Sequence, residues 1–153
     1  MRKFTAIYIT LALLLSTIMI ARATRQDWIA IPSVNISERL QYADLNMDTQ
    51  TICDKRDRAV AYDYRGSISI ADHNHQGFKN LHKVKVGDTA TVILHGKVTQ
   101  YRCIRKFNGI NKKAYLTDNN GRIVEITKNQ VIIYTCLKGY TRRIVITKWQ
   151  RIR

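Results

Sequence analysis

The sequence predicts a mainly β fold: a closed barrel of eight short strands with one or two short helical turns, preceded by an apolar N-terminal segment. Two observations point there. No window of the 153 residues sustains the 3.6-residue apolar period of an amphipathic helix. Short runs rich in Val, Ile, Thr and Tyr recur instead, separated by Gly, Asn and Asp. Closure suits a domain of this size because it removes the unpaired strand edges that invite aggregation, although spacing alone leaves a sandwich open.

Residues 28–36 form the first run, broken by Pro32, and 39–42 the second. A short helical turn is expected within 44–54. The third run, 67–73, ends on His73, and a second helical turn is expected at 77–81. Residues 89–94 and 97–107 flank His95-Gly96, a two-residue connection suited to a tight hairpin. Asn119-Asn120-Gly121 signals a turn before a strand at 122–127. The last two strands are 131–135 and 143–148, joined through a polar segment that contains Gly139. There are no internal repeats and no low-complexity linker, so the domain is taken as 24–153.

Residues 1–23 are set apart by composition. Arg2 and Lys3 precede an uncharged apolar stretch from position 4 to 21, followed by Ala21-Arg22-Ala23, the pattern of an export signal. The length fits either a cleaved signal peptide or a retained membrane anchor. In both cases the basic end stays in the cytoplasm and the rest faces outward, so the expected location is the outer face of the membrane or the cell wall.

Charge and cysteine count set further bounds. Three of the 26 basic residues and none of the 11 acidic ones fall in 1–23, which leaves +12 on the remainder. Such a surplus attracts polyanions, and export directs that attraction to anionic envelope polymers or lipid headgroups rather than to nucleic acid. Cys53, Cys103 and Cys136 are an odd number in an exported chain and cannot all pair. Cys53 and Cys103 are read as small core residues, with a Cys53–Cys103 bridge as the alternative.

Candidate chemistry gathers at strand ends. Val131 to Thr135 deliver Cys136 to a strand tip, Arg143 opens the next strand, and His73 closes an earlier one. Cys136 would be the nucleophile, its thiolate favoured by surrounding positive charge. His73 would act as general acid and base, with His75 as the rival two residues on. Arg143 would offer a planar, permanently charged fork to a developing oxyanion, whereas Arg142 faces the opposite side of the strand. Thr135 is a candidate for shaping the substrate or oxyanion pocket. His82 and His95 read as surface or turn residues. A His73, His75, Asp72 metal site lacks a second ligand pair, so no metal and no cofactor is expected. Phosphate-cradling glycine loops, zinc-ribbon spacing and a serine-nucleophile elbow are absent from the sequence.

Several segments, in order, carry a family resemblance. Ile31-Pro32-Ser33-Val34-Asn35-Ile36 resembles an Ile-Pro-x-Ile opening strand. Ile70-Ala71-Asp72-His73 through Gly77-Phe78, Leu81 and Val86-Gly87-Asp88 resembles the stretch that follows a catalytic histidine. Ile133-Tyr134-Thr135-Cys136 followed by Arg143-Ile144-Val145-Ile146 is similar to a Thr-Leu-x-Thr-Cys signature and an arginine-bearing strand. Together they resemble the sortases, cell-surface cysteine transpeptidases of mostly Gram-positive bacteria. The resemblance implies an eight-stranded sortase-like β-barrel and a catalytic set of His73, Cys136 and Arg143. It implies cleavage of a sorting-type peptide through a Cys136 thioester and transfer of the acyl part to an amine of the cell wall or of a surface protein. The alternative is a non-catalytic basic barrel that binds anionic surface polymers or nucleic acid.

Two positions depart from the family pattern. Ile132 replaces the signature's first threonine, and Asp72 stands where glycine usually precedes the histidine. Asp72 bears on the loop backbone or on the charge around His73. The domain is also short, which implies trimmed loops and a reduced substrate groove.

Overall fold

The computed structural model describes residues 26–44, 49–54, 58–112, 114–140 and 142–152. The apolar segment 1–23 lies outside them, and no helix among the described residues is long and apolar enough to cross a membrane.

Among the described residues nine strands form one sheet: β1 (Trp28–Ile31), β2 (Ile36–Ala43), β3 (Arg58–Tyr64), β4 (Ser67–Ala71), β5 (Thr89–Leu94), β6 (Lys97–Asn111), β7 (Leu116–Asp118), β8 (Gln130–Cys136) and β9 (Arg143–Arg151). They lie in the order β5-β1-β2-β3-β4-β8-β9-β6-β7, and β5 also pairs with β6. That pairing closes an eight-stranded barrel, with β7 as an extra strand on the side of β6. Most pairs are antiparallel; β2–β3 and β4–β8 are parallel. The one α-helix among the described residues, α1 (Thr49–Cys53), lies within the expected turn at 44–54, and a 3-10 turn at Leu81–Lys83 falls at the end of the expected one at 77–81.

Local chemistry accounts for the elements. Pro32 removes a backbone donor and starts a 3-10 turn, after which Asn35 takes a left-handed conformation (φ 52°) and β2 folds back on β1. The first predicted run is therefore two paired strands. His95 and Gly96 both have positive φ (52° and 74°), the geometry of the tight hairpin expected there. Arg65-Gly66 repeats it between β3 and β4, a hairpin the strand pattern alone did not predict. The predicted strand at 122–127 does not form; only Ile123 makes an isolated bridge, to Thr117. Asp118 captures the turn instead, its Oδ1 accepting from the Asn120 and Arg122 amides at 2.9 Å each. The β7 segment lies across β6 at Gly109, where a Cβ would collide with the Thr117 carbonyl oxygen.

Two apolar layers hold the sheet. Ile29, Ile31, Ile70, Phe78, Leu81, Ile133 and Trp149 fill the barrel interior. Ile52, Tyr64, Leu116, Val124, Ile132, Tyr134 and Ile144 form a second cluster on its outer face, beneath α1 and the β7 segment. Strand β8 is buried on both faces, which is why it reads as a continuous apolar run. Full burial of a side chain such as Phe78 or Leu81 stabilises the fold by about 2–3 kcal/mol. Trp149 keeps its polar edge satisfied: its indole donates to Thr147 at 2.8 Å, and Thr147 donates to the Ile133 carbonyl at 2.7 Å.

Candidate active site

The parallel β4–β8 ladder sets the site. Ala71 pairs with Tyr134, so continuing both chains by two residues brings His73 beside Cys136, on the outer face. A clasp one residue earlier fixes that approach, because Thr135, 3% exposed, donates from Oγ1 to the Asp72 carbonyl at 2.7 Å. His73 and Cys136 line one cavity of about 70 Å³, together with Ala71, Asp72, Tyr134 and Cys53.

His73 has a partner that the sequence pattern did not identify. Its Nε2 lies 2.9 Å from Asp54 Oδ1, just past the end of α1, and its ring stacks on that of His75 with centroids 5.1 Å apart. A carboxylate in this place orients the imidazole for proton transfer. The contact spans 19 residues, and only the expected helical turn at 44–54 hinted at it.

Cys136 is half-buried, and burial pushes its thiol above the ordinary range. The expected lowering by nearby positive charge is therefore corrected: desolvation dominates, and the resting group is a thiol. Cys53 and Cys103 are more deeply placed, at 7% and 1% exposure, and burial raises both, Cys53 to about 12. Cys53 belongs to the outer cluster and Cys103 to the barrel interior, so the alternative of a bridge between them does not hold, and all three are free thiols.

Asp72 acts on the loop backbone. Its Oδ1 accepts from the His73 amide at 2.7 Å, and the Gln76 amide nitrogen, turned toward it, lies at 3.3 Å. Burial, with Glu38 adding to it, lifts the Asp72 carboxyl from 3.8 to about 6. Gly77 makes the packing possible, since a Cβ there would collide with the Glu38 side chain and lie 2.7 Å from Asp72 Oδ2.

Arg143 stands at the start of β9, one residue before Ile144, the partner of Cys136. Its carbonyl accepts from the Leu137 amide at 2.8 Å, while its guanidinium lies over the Tyr140 ring at 4.9 Å. It lines a neighbouring cavity with Leu137 and Asn108 rather than the one shared by His73 and Cys136. The structure thus brings His73, Cys136 and the Thr135 clasp together, with Arg143 at the margin. Thr135 lines a cavity together with Cys136, but its hydroxyl donor is already engaged with the Asp72 carbonyl. Among the described residues no group of three or more His, Cys, Asp or Glu is placed to hold a metal.

No protein-family model matches the sequence, and no curated protein matches it. Solved structures do. The chain is similar to sortase A of Listeria monocytogenes, with TM-score 0.61, 16% identity, and coverage of 83% of this chain and 86% of that one. It is similar to sortase C-1 of Actinomyces oris, with TM-score 0.61, 17% identity, and coverage of 83% and 73%. It also resembles a Clostridium perfringens sortase C solved with the C-terminal cell wall sorting motif, with TM-score 0.60, 15% identity, and coverage of 82% and 69%. The chain thus carries the sortase β-barrel in a short, divergent form.

Proposed function

We propose that the protein is a cysteine transpeptidase acting on a sorting-type peptide at the cell surface. The observation that carries this reading is the convergence of Cys136 and His73 on one cavity, with Cys136 the least buried of the three cysteines. The sortase barrel of the structural neighbours supports it.

The chemistry starts from a neutral thiol. As the Cys136 sulfur attacks the peptide carbonyl, its proton passes to His73, whose ring Asp54 orients. His73 then protonates the leaving amine, and a thioester remains on Cys136. An incoming amine reverses the sequence: it loses a proton to His73, forms the new amide and expels the sulfur, which recovers the proton. Arg143 would stabilise the oxyanion after its guanidinium swings away from Tyr140. Thr135 acts through the backbone, holding the histidine-bearing loop against the nucleophile.

The test is incubation of the full-length protein with a library of sorting-type peptides, followed by intact-mass and peptide mapping. A thioester on Cys136 that disappears in His73→Ala and Cys136→Ala is the expected result. Iodoacetamide offers a parallel check, and Cys136 should react well ahead of Cys103. Equal labelling of the two, or no acyl-enzyme from any library member, removes the catalytic reading and leaves the binding barrel.

A further inference from the structure

Strand β6 breaks its alternation at one place. Its register against β9 steps from Cys103 opposite Trp149 to Arg105 opposite Lys148, so Ile104 is the extra residue of a β-bulge. Cys103 is buried, but Ile104, Arg105 and Lys106 are then exposed one after another, where a regular strand would turn every second side chain inward. A turn packs against the bulge. Within it the Asp88 amide donates to the Lys85 carbonyl at 3.1 Å, and Gly87 takes a positive φ of 98°. The Gly87 amide donates to the Cys103 carbonyl at 2.8 Å, and the Cys103 amide donates to the Asp88 carbonyl at 2.8 Å. Val86 and Ile104 therefore flank the same backbone hydrogen bond, and both are exposed, at 66% and 41%.

Cations surround this aliphatic pair. Lys83, Lys85, Arg102, Arg105 and Lys106 are exposed, and each lies within three positions of Val86 or Ile104 along the chain. Lys106 ties the two segments together, donating from Nζ to the His82 carbonyl at 3.0 Å. Residues 79–112 hold eight Lys and Arg and a single acid, Asp88, whose Oδ2 accepts from the Lys85 amide at 2.9 Å. Arg105 also lines a cavity with Asp118 and Glu125. Both have other partners: Asp118 holds the Asn120 and Arg122 amides, and Glu125 pairs with Arg65 at 3.4 Å.

The combination of charge and hydrocarbon selects the partner. A soluble polyanion is answered by the cations alone and gains nothing from two aliphatic side chains held in water. A bilayer of anionic phospholipid offers phosphates to the cations and acyl chains to the pair. We infer that Val86 and Ile104, with the five basic side chains around them, form a face that docks on an anionic phospholipid bilayer. The phosphates meet the cations, and the two aliphatic side chains enter the boundary between headgroups and acyl chains. This surface is separate from the residues of the transpeptidase reading, so either can fail without the other.

The test uses the full-length protein in vesicles of phosphatidylglycerol or of phosphatidylcholine, each doped with a phospholipid that carries a diazirine on its acyl chain. After illumination, lipid adducts are mapped by peptide mass spectrometry. Val86 and Ile104 should carry about ten-fold more label in the anionic vesicles. In a Lys85→Gln, Arg102→Gln, Arg105→Gln variant, which spares the contact of Lys106 with His82, that excess should vanish. A Val86→Ser, Ile104→Ser variant should lose about five-fold of the label across 83–88 and 102–106. Soluble poly(glycerol phosphate) at matched phosphate concentration should displace less than about half of it, because the polymer offers no hydrocarbon. Complete displacement would assign the face to a soluble polyanion and overturn the bilayer. Equal labelling in the two kinds of vesicle, or no adduct at Val86 and Ile104, would overturn it as well.

Discussion

Asp54 and Asp72 flank His73 and affect it differently. Asp54 has a side chain 61% exposed and touches the ring, so it is a positioning residue whose ion pair adds little to stability. Asp54→Ala should slow thioester formation about ten-fold and alter its pH profile, with a midpoint of thermal unfolding moved by less than about 2 °C. An unchanged rate, read in single-turnover experiments, would show that the carboxylate only decorates the surface. Asp72 is 5% exposed, and its carboxyl is raised from 3.8 to about 6. The folded state thus holds this proton more tightly than the unfolded state does. Stability falls as pH rises from about 4 to 6, and the penalty is complete above that window. Asp72→Asn keeps an acceptor for the His73 amide and removes the charge, so it should stabilise the protein by about 2–3 kcal/mol at pH 7.5 and by almost nothing at pH 4. Denaturant titrations at the two pH values provide the comparison, and an equal gain at both would refute the assignment. Cys136 and His73 were legible in the sequence because each closes a β-type run. Asp54 was not, because its contact depends on where a five-residue helix docks.

At the scale of elements, the clasp between β8 and the end of β4 is the joint that holds the proposed nucleophile and base together. Thr135→Val keeps shape but removes the donor to the Asp72 carbonyl, which should cost about 1–2 kcal/mol. Activity should fall further than that loss explains, and Thr135→Ser should restore both. Chemical denaturation alongside peptide cleavage separates the effects; a valine variant with full activity would show that the ladder alone suffices. The strands β5, β6, β8 and β9 were legible from β-branched runs bounded by turn residues. Strand β3 was not predicted; its tyrosine hydroxyls join strands across the outer layer, Tyr62 lying 2.8 Å from the Tyr134 hydroxyl and Tyr64 accepting from the Leu116 amide at 3.1 Å. The strand expected at 122–127 failed for a related reason, since its apolar residues serve that outer cluster from a loop pinned by Asp118. Alternation in the sequence reports burial, and here burial came without a ladder.

The whole molecule is strongly basic, with +15 over the chain. Arg102, Arg105 and Lys106 are exposed along β6. Binding to an anionic envelope polymer should therefore be retained in Cys136→Ser and weaken steeply between 50 and 300 mM salt, on the order of ten-fold or more as paired ions are released. Sedimentation with the polymer at graded salt is the measurement, and salt-independent binding would contradict an electrostatic origin. Barrel closure has a further consequence for the reaction centre. The sulfur and the imidazole ride on adjoining staves of a hoop without ends, so neither stave can slip past the other unless the hoop itself springs open. Their spacing is therefore guarded by the cooperativity of the entire fold, and a site built this way keeps its alignment until the barrel fails as a unit.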